Sequence, residues 1–467
     1  MRHHNKISFA LAASSGLLLA GVFAPLRLWA LAWPALIPLF YAVLRSRNAK
    51  MAALLGFTTG VFFYPLSLTW ISTVTGNLTL LFFGVFSLWI ALQAALMRRL
   101  WDFLGSRAAG QLAWTALAGI SWAGIEYFRS ELFGWLACPW LGLGYSQAGS
   151  PQILQTLSVW GVYGLTAVIV STAAALALFA NKKRIPAAVL VPLVLLAALW
   201  GGRRLNNFST ETCAPVKTAL VQAEAVPLDK LVKYSLQPEA AAADLLVWPE
   251  NSFMLDNGDD EKYLAALAKK LKPSKAVAAL GSGRYGTRPG TRRENFMLFY
   301  GRDKKYLGRY DKMHPVPFVE TGLPARRTPA IIDTELGRLG PQICYDLAFE
   351  DGSRKVAQLG AQLLVSPTLD PMKWGVLQHE QHSDMSGARA VEAGLWLVRA
   401  ASSGRSQIID PLGFTRAELA TGKEGVLTGT AYLRAGGTFY TRLGWLFAPL
   451  ALAVTAAALL FVLFKRK

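Results

Sequence analysis

Acidic residues are scarce in this chain. Asp and Glu number 29 against 48 Lys and Arg, and charged residues of both signs make up only 16% of the 467 residues. A soluble protein averages about 25%, so much of this chain is suited to a solvent other than water. The formal charge of +19 would suit a nucleic-acid binder. Here, however, the basic residues gather in short clusters beside apolar spans, which is a pattern of membrane topology, and no nucleic-acid partner is expected. Cysteine is sparse too. Cys138, Cys213 and Cys344 allow at most one disulfide and form no framework. No CxxC pair and no Cys/His spacing suggests zinc. His379 and His382 sit one helical turn apart, but two ligands without a third more often serve structure. There is no Walker A motif and no Gly-x-Gly-x-x-Gly opening a helix, and Gly281-Ser282-Gly283 is too little for a phosphate loop. No metal and no cofactor are expected.

What is abundant is apolar sequence, at 53%. A membrane span needs about 20 apolar residues. Candidates run over 7–24, 28–44, 51–74, 78–97, 111–129, 157–180, 185–201 and 442–463, eight in all, several interrupted by Pro34, Pro38, Pro65 or Pro192. Met1–Lys6 with the run behind it imitates a signal peptide, but further spans follow at once, so it reads as an uncleaved first helix. The basic connections Arg45–Lys50, Arg98–Arg107, Lys182–Arg184 and the closing Lys465–Lys467 all fall on one side when crossings are counted from a cytoplasmic N-terminus. By the positive-inside rule that side is the cytoplasm. Both termini are then cytoplasmic, and the long polar segment before the last span lies outside. Arg203-Arg204 falls on the wrong side, but it opens a long domain, where the rule is weak.

Three domains result: 1–201 with seven transmembrane helices, a polar domain over 202–440, and a C-terminal helix over 441–467. Near the end of the fifth span stand Glu126 and Arg129, an acid and a base three residues apart that can pair with each other. They read either as an interfacial ion pair or as a polar feature that orients lipid head groups. In 202–440, short strand candidates (216–222, 244–248, 276–280, 296–300, 330–333, 342–345, 362–366, 395–400, 406–410) alternate with helical stretches at 259–272, 350–359 and 377–393, an α/β pattern. Arg399–Asp410 reads as a hairpin turning at Ser403-Gly404.

Three apolar runs in this domain deliver chemistry at their ends. Asp244–Trp248 leads to Pro249-Glu250, Tyr306–Tyr310 to Asp311-Lys312, and Leu339–Ile343 to Cys344. Each has a bland reading: a solvated acid, a surface lysine, a small buried hydrophobe. Together they offer a nucleophile, a base and a charge stabiliser. A carboxylate can take the thiol proton during attack. An ammonium lowers the thiol pKa and balances an oxyanion, with the N–H of Tyr345 as a second donor. Phe253-Met254-Leu255, just after Glu250, reads either as a lipid-facing lid or as local packing.

Val247-Trp248-Pro249-Glu250, then Tyr310-Asp311-Lys312-Met313-His314-Pro315-Val316-Pro317-Phe318, then Ile343-Cys344-Tyr345 resemble the nitrilase superfamily. Leu363–Thr368, Arg389–Glu392, Leu397–Ala400 and Asp410–Gly413 extend the likeness. In the membrane part, Glu126-Tyr127-Phe128-Arg129, Pro139-Trp140, Gly144–Gln147 and Gly161–Leu165 resemble the apolipoprotein N-acyltransferase family, as does the plan of seven spans, one nitrilase-like domain and a last span.

The resemblance implies a polytopic helical membrane domain joined to a nitrilase-like αββα sandwich on the periplasmic face of a bacterial inner membrane. It implies transfer of an acyl chain from a phospholipid to the α-amino group of a diacylglyceryl-cysteine at an apolipoprotein's N-terminus. Cys344 would form the thioester, Glu250 would be the base and Lys312 would stabilise the oxyanion. Glu320 matches a second carboxylate and Tyr345 the aromatic after the cysteine. Asp346 stands where the family usually has Glu, Leu369 where it has Asn, and Ala223-Glu224 where it has Gly-Asn. These departures motivate an alternative, a membrane-tethered amidase or an acyltransferase for a different amine. A non-catalytic scaffold would have no need of the matched carboxylate, ammonium and thiol.

Overall fold

The computed structural model describes residues 2–255, 260–286, 292–324 and 328–465. Met1 and the closing Arg466 and Lys467 of the last basic cluster lie outside them. Contacts divide the chain into two units, Met1–Asn207 with Leu443–Lys467, and Phe208–Arg442.

The first unit is helical. Among the described residues, five helical segments are long and apolar enough to cross a membrane: Ala49–Ser67, Thr69–Leu104, Leu157–Ala180, Ile185–Asn206 and Gly444–Phe464. Arg2–Gly21 and Ala108–Tyr127 are helices of 20 residues each. The span expected over 28–44 is not a single helix. It is a 3-10 turn at Trp29–Ala32 and a nine-residue helix, Ile37–Arg45. Pro34 breaks the segment, and Pro38 is tolerated in the first turn of the short helix, where no N–H partner is needed. Without a hydrophobic drive between helices in lipid, close packing needs small residues. A Cβ on Gly119 would stand 2.1 Å from the Ala167 carbonyl oxygen, and one on Gly124 would stand 2.6 Å from that of Ala451. Helix Ala108–Tyr127 is thus held backbone to backbone against two neighbours. The apolar window of Leu157–Ala180 is 83% buried, whereas those of Ile185–Asn206 and Gly444–Phe464 are each 17% buried. Outward-facing leucines such as Leu195, Leu199, Leu450 and Leu463 are costly in water and at home in lipid.

The second unit is a four-layer αββα sandwich. Its strands are β1 (Ala214–Gln222), β2 (Leu245–Leu255), β3 (Val277–Arg284), β4 (Glu294–Tyr300), β5 (Tyr306–Asp311), β6 (Ile332–Asp333), β7 (Arg338–Pro341), β8 (Leu363–Thr368), β9 (Leu397–Ala401), β10 (Ser406–Ile409), β11 (Thr415–Leu419) and β12 (Gly425–Leu433). One sheet runs β12-β1-β2-β3-β4-β5 and the other β11-β10-β9-β8-β7-β6. The central strands β1, β2, β3 and β7, β8, β9 pair in parallel. Successive side chains on a strand face opposite ways. Leu245 and Val247 accordingly enter the core between the sheets with Leu363, Val365 and Val398. Leu246 and Trp248 pack outward with Leu231, Leu267 and Leu271 of the flanking helices. Burial on both faces is why these strands read as continuous apolar runs.

Two expectations need correction. The strand expected at 342–345 stops at Pro341, and Cys344–Ala348 forms a 3-10 turn. Asp346 forces this, because its Oδ2 accepts the Ile343 N–H at 2.9 Å and turns the chain. Phe253 and Leu255 are no lid. They are buried strand residues, Phe253 paired with Ser282 and Leu255 with Arg284.

Candidate active site

Ligands of open α/β sheets gather at the carboxyl ends of the strands, and there the second unit places its polar side chains. β2 and β3 are in register to Trp248–Leu280 and again from Phe253–Ser282, so four residues of β2 bulge opposite Gly281 alone. The bulge carries Glu250 and sets Asn251 at φ +52°. A Cβ on Gly281 would lie 2.1 Å from the Pro249 oxygen and 2.7 Å from Glu250 Cα. Gly281 is therefore a site of close backbone approach, not a phosphate loop.

Glu250 is buried and fully bonded. Oε1 accepts from Lys312 Nζ at 2.7 Å and from Asn295 Nδ2 at 2.6 Å, and Oε2 accepts from the Leu369 N–H at 2.7 Å. Lys312, just past β5, also bonds Glu320 Oε2 at 2.8 Å. Asn295 on β4 reaches Glu320 Oε1 at 2.8 Å, so one amide and one ammonium hold two carboxylates apart and oriented. Burial raises Glu250 above the ordinary carboxyl range, with Lys312 opposing and Glu320 adding. Burial alone would depress Lys312, but the Glu250 and Glu320 charges hold its ammonium protonated well above the ordinary value.

Cys344 is buried, with φ +48°. A non-glycine residue there carries strain of about 1–3 kcal/mol and projects its side chain from a sharp turn. Its Sγ donates to the Leu369 carbonyl at 3.6 Å. Burial pushes the thiol well above its ordinary value, Glu250, Asp370 and Glu320 add to this, and Lys312 opposes it. At neutral pH the group is a thiol that needs a base, and Glu250 is close enough to perturb it.

The remaining expected residues fall into two groups. Asp346 anchors the site and does not face it. Its Oδ1 accepts from the N–H groups of Met313 (3.1 Å) and His314 (2.7 Å), and its Oδ2 accepts from Tyr310 Oη at 2.8 Å. It thereby ties the Lys312 segment to the Cys344 turn. Tyr345 packs edge-on to Phe349, on which His314 stacks at 4.1 Å. Glu126 and Arg129 lie in the helical unit and hold its loop without a hydrogen bond to each other. Arg129 donates to the carbonyls of Cys138 (2.7 Å) and Trp140 (3.0 Å), while Glu126 accepts from the Leu143 N–H (3.3 Å) and Thr166 Oγ1 (2.9 Å).

Sequence reading missed Asn295, because an Asn inside an apolar strand carries no motif. The meeting of Asp370 with His382 and Arg399 likewise carries no sequence signal. Donor atoms of Cys344, Asp370 and His382 lie within 4.8 Å of one another. Arg399 Nη2 already holds Asp370 Oδ2, and His382 Nδ1 and Gln378 Nε2 bond Oδ1 at 2.8 and 3.2 Å. The guanidinium sets a positive charge where a cation would bind, so this donor set does not suit a resident metal.

Comparison with known proteins gives two family matches, the apolipoprotein N-acyltransferase N-terminal domain over residues 15–175 and the carbon-nitrogen hydrolase family over 217–435. The chain is 32% identical to the apolipoprotein N-acyltransferase of Geobacter metallireducens, with 98% of this chain and 96% of that one covered. It is 29% identical to that of Azotobacter vinelandii, over 96% and 94%. Among solved structures, an amidase from Nesterenkonia sp. aligns at 21% identity and TM-score 0.40, covering 50% of this chain and 96% of that one.

Proposed function

The chain belongs to the apolipoprotein N-acyltransferase family, and on that premise we propose that it moves an acyl chain from a phospholipid, through a thioester on Cys344, to the α-amino group of a diacylglyceryl-cysteine at an apolipoprotein's N-terminus. The observation that carries this reading is the buried set of Glu250 in the β2 bulge, Lys312 just past β5 and Cys344 on the turn after β7.

In the first half-reaction Cys344 Sγ attacks the ester carbonyl as Glu250 takes the thiol proton. The tetrahedral oxyanion forms against Lys312, two of whose three N–H groups are committed to Glu250 and Glu320, leaving the third to donate. Glu250 then returns the proton to the departing lysophospholipid oxygen, and the acyl group remains on sulfur. In the second half-reaction the acceptor amine attacks the thioester, Glu250 takes the amine proton, and the sulfur leaves and is reprotonated. Burial of Cys344 supports this division, since a thioester must be kept from water between the two steps. The positive-inside pattern supports a bacterial inner-membrane location with both termini cytoplasmic and residues 202–440 periplasmic.

Local structural roles at two departures, Asp346 and Glu224, support the lipoprotein acceptor over another amine. Asp346 is a buried anchor, and Glu224 accepts from the Met372 N–H at 3.0 Å and from Ser403 Oγ. The test is incubation of purified protein with phospholipid and a synthetic diacylated lipopeptide, its N-terminus either free or acetylated. The lipopeptide with a free amine gains one acyl chain and the blocked one does not. Acylation of small amines with no gain on the lipopeptide would favour the amidase-like alternative.

A further inference from the structure

Leu369 touches both halves of the reacting pair through its backbone. Its N–H donates to Glu250 Oε2 at 2.7 Å, and its carbonyl accepts from Cys344 Sγ at 3.6 Å. The leucine side chain takes no part in either bond, which explains how a polar residue can be replaced at this position.

What aims that carbonyl is the next residue. The Leu369 oxygen and the Asp370 N–H belong to one planar peptide, and the N–H end is fixed by Ser402 Oγ at 3.1 Å. Ser402 is itself tied to the Thr368 carbonyl at 3.0 Å. The Asp370 side chain is completely buried and gripped by Arg399 from β9 and by His382 and Gln378 from the helix Val376–Ala393. The next turn is so close that a Cβ on Gly404 would lie 2.3 Å from Asp370 Oδ2.

We propose that Asp370, clamped by Arg399, His382 and Ser402, is a positioning residue that aims the Leu369 carbonyl at the Cys344 thiol and so fixes the sulfur, still protonated, in place until the S–H turns to Glu250 for attack. A hydrogen bond to the neutral thiol favours that form, and the Asp370 carboxylate disfavours a thiolate beside it. The titratable and charged groups around Cys344 are Glu250 from β2, Lys312 from the β5 end, Glu320 beyond it, and Asp370 with its partners His382 and Arg399. Asp370 stays ionised among them. Burial opposes its charge, but His382 and Arg399 hold its carboxyl well below the usual range.

This inference rests on the acyl-enzyme reading, and its test separates the two. In Asp370→Asn, the pH midpoint for alkylation of Cys344 by iodoacetamide falls by about one unit, while the rate of acyl-enzyme formation falls at least tenfold with KM for phospholipid unchanged. In Ser402→Ala, which keeps the charge, the acylation rate falls and the alkylation midpoint falls by less than in Asp370→Asn, since only the hydrogen bond to the neutral thiol is loosened. Alkylation needs no acyl donor, so it reads the role of Asp370 even if wild type takes no acyl chain from phospholipid. An Asp370→Asn protein with the wild-type midpoint, or a Ser402→Ala protein with the wild-type acylation rate, overturns the proposal. If Asp370→Asn does not fold, the Ser402→Ala rate decides.

Discussion

At Cys344 the thiol is protonated at rest and Glu250 is the group that must be ionised. The base limb of acylation is therefore set far from neutrality, because the thiol and Lys312 both titrate well above their ordinary values. The acid limb belongs to Glu250. Burial raises its carboxyl, so as pH falls the base is lost earlier than an ordinary Glu, whose pKa is about 4.3. Single-turnover acylation followed against pH shows an acid-limb midpoint above that value. In Glu250→Gln the limb disappears and the rate falls by about 10²–10⁴-fold, with unchanged thermal unfolding in detergent. A wild-type limb at the ordinary carboxylate value assigns the base to another group.

At the scale of the element, the β2 bulge decides where Glu250 stands. Gly281→Ala sets a methyl against the Pro249 oxygen and Glu250 Cα, and one of the strands must yield. Overpacking of this kind costs about 1–3 kcal/mol, and a misplacement near 1 Å can lower turnover about 100-fold. A drop in kcat of that order with KM nearly unchanged is expected, and a fully active Gly281→Ala enzyme contradicts this role for the bulge. The sequence showed Glu250, Lys312 and Cys344 because each ends an apolar run. It did not show the bulge, since that depends on the register between β2 and β3. β11 and β12 were likewise invisible. Thr415–Leu419 and Gly425–Leu433 are mostly half-exposed strands that lack the apolar runs of the central ones. Asn295, Asp370 and Arg399 act through partners distant in sequence, so only the fold identifies them. The short helix Ile37–Arg45 was misjudged because an apolar run gives composition, while Pro34 sets the geometry.

At the scale of the whole molecule, the proposed orientation rests on the basic clusters, and the apolar helix faces suit lipid. Exposed Lys183 and exposed Lys233 lie in segments expected on opposite sides of the membrane. With Cys213 replaced by Ala, a membrane-impermeant maleimide added to spheroplasts labels Lys233→Cys, and it labels Lys183→Cys only after lysis. The reverse pattern contradicts the proposed orientation.

The central claim is that acyl transfer passes through sulfur. Its most direct test is the intact mass of the purified protein after incubation with phospholipid, for wild type and Cys344→Ala. A gain of one acyl chain on wild type is predicted. It is labile to hydroxylamine, absent from Cys344→Ala, and discharged when a diacylated lipopeptide is added. Acyl transfer to the lipopeptide by Cys344→Ala at the wild-type rate, or a wild-type gain that hydroxylamine leaves in place, would contradict it.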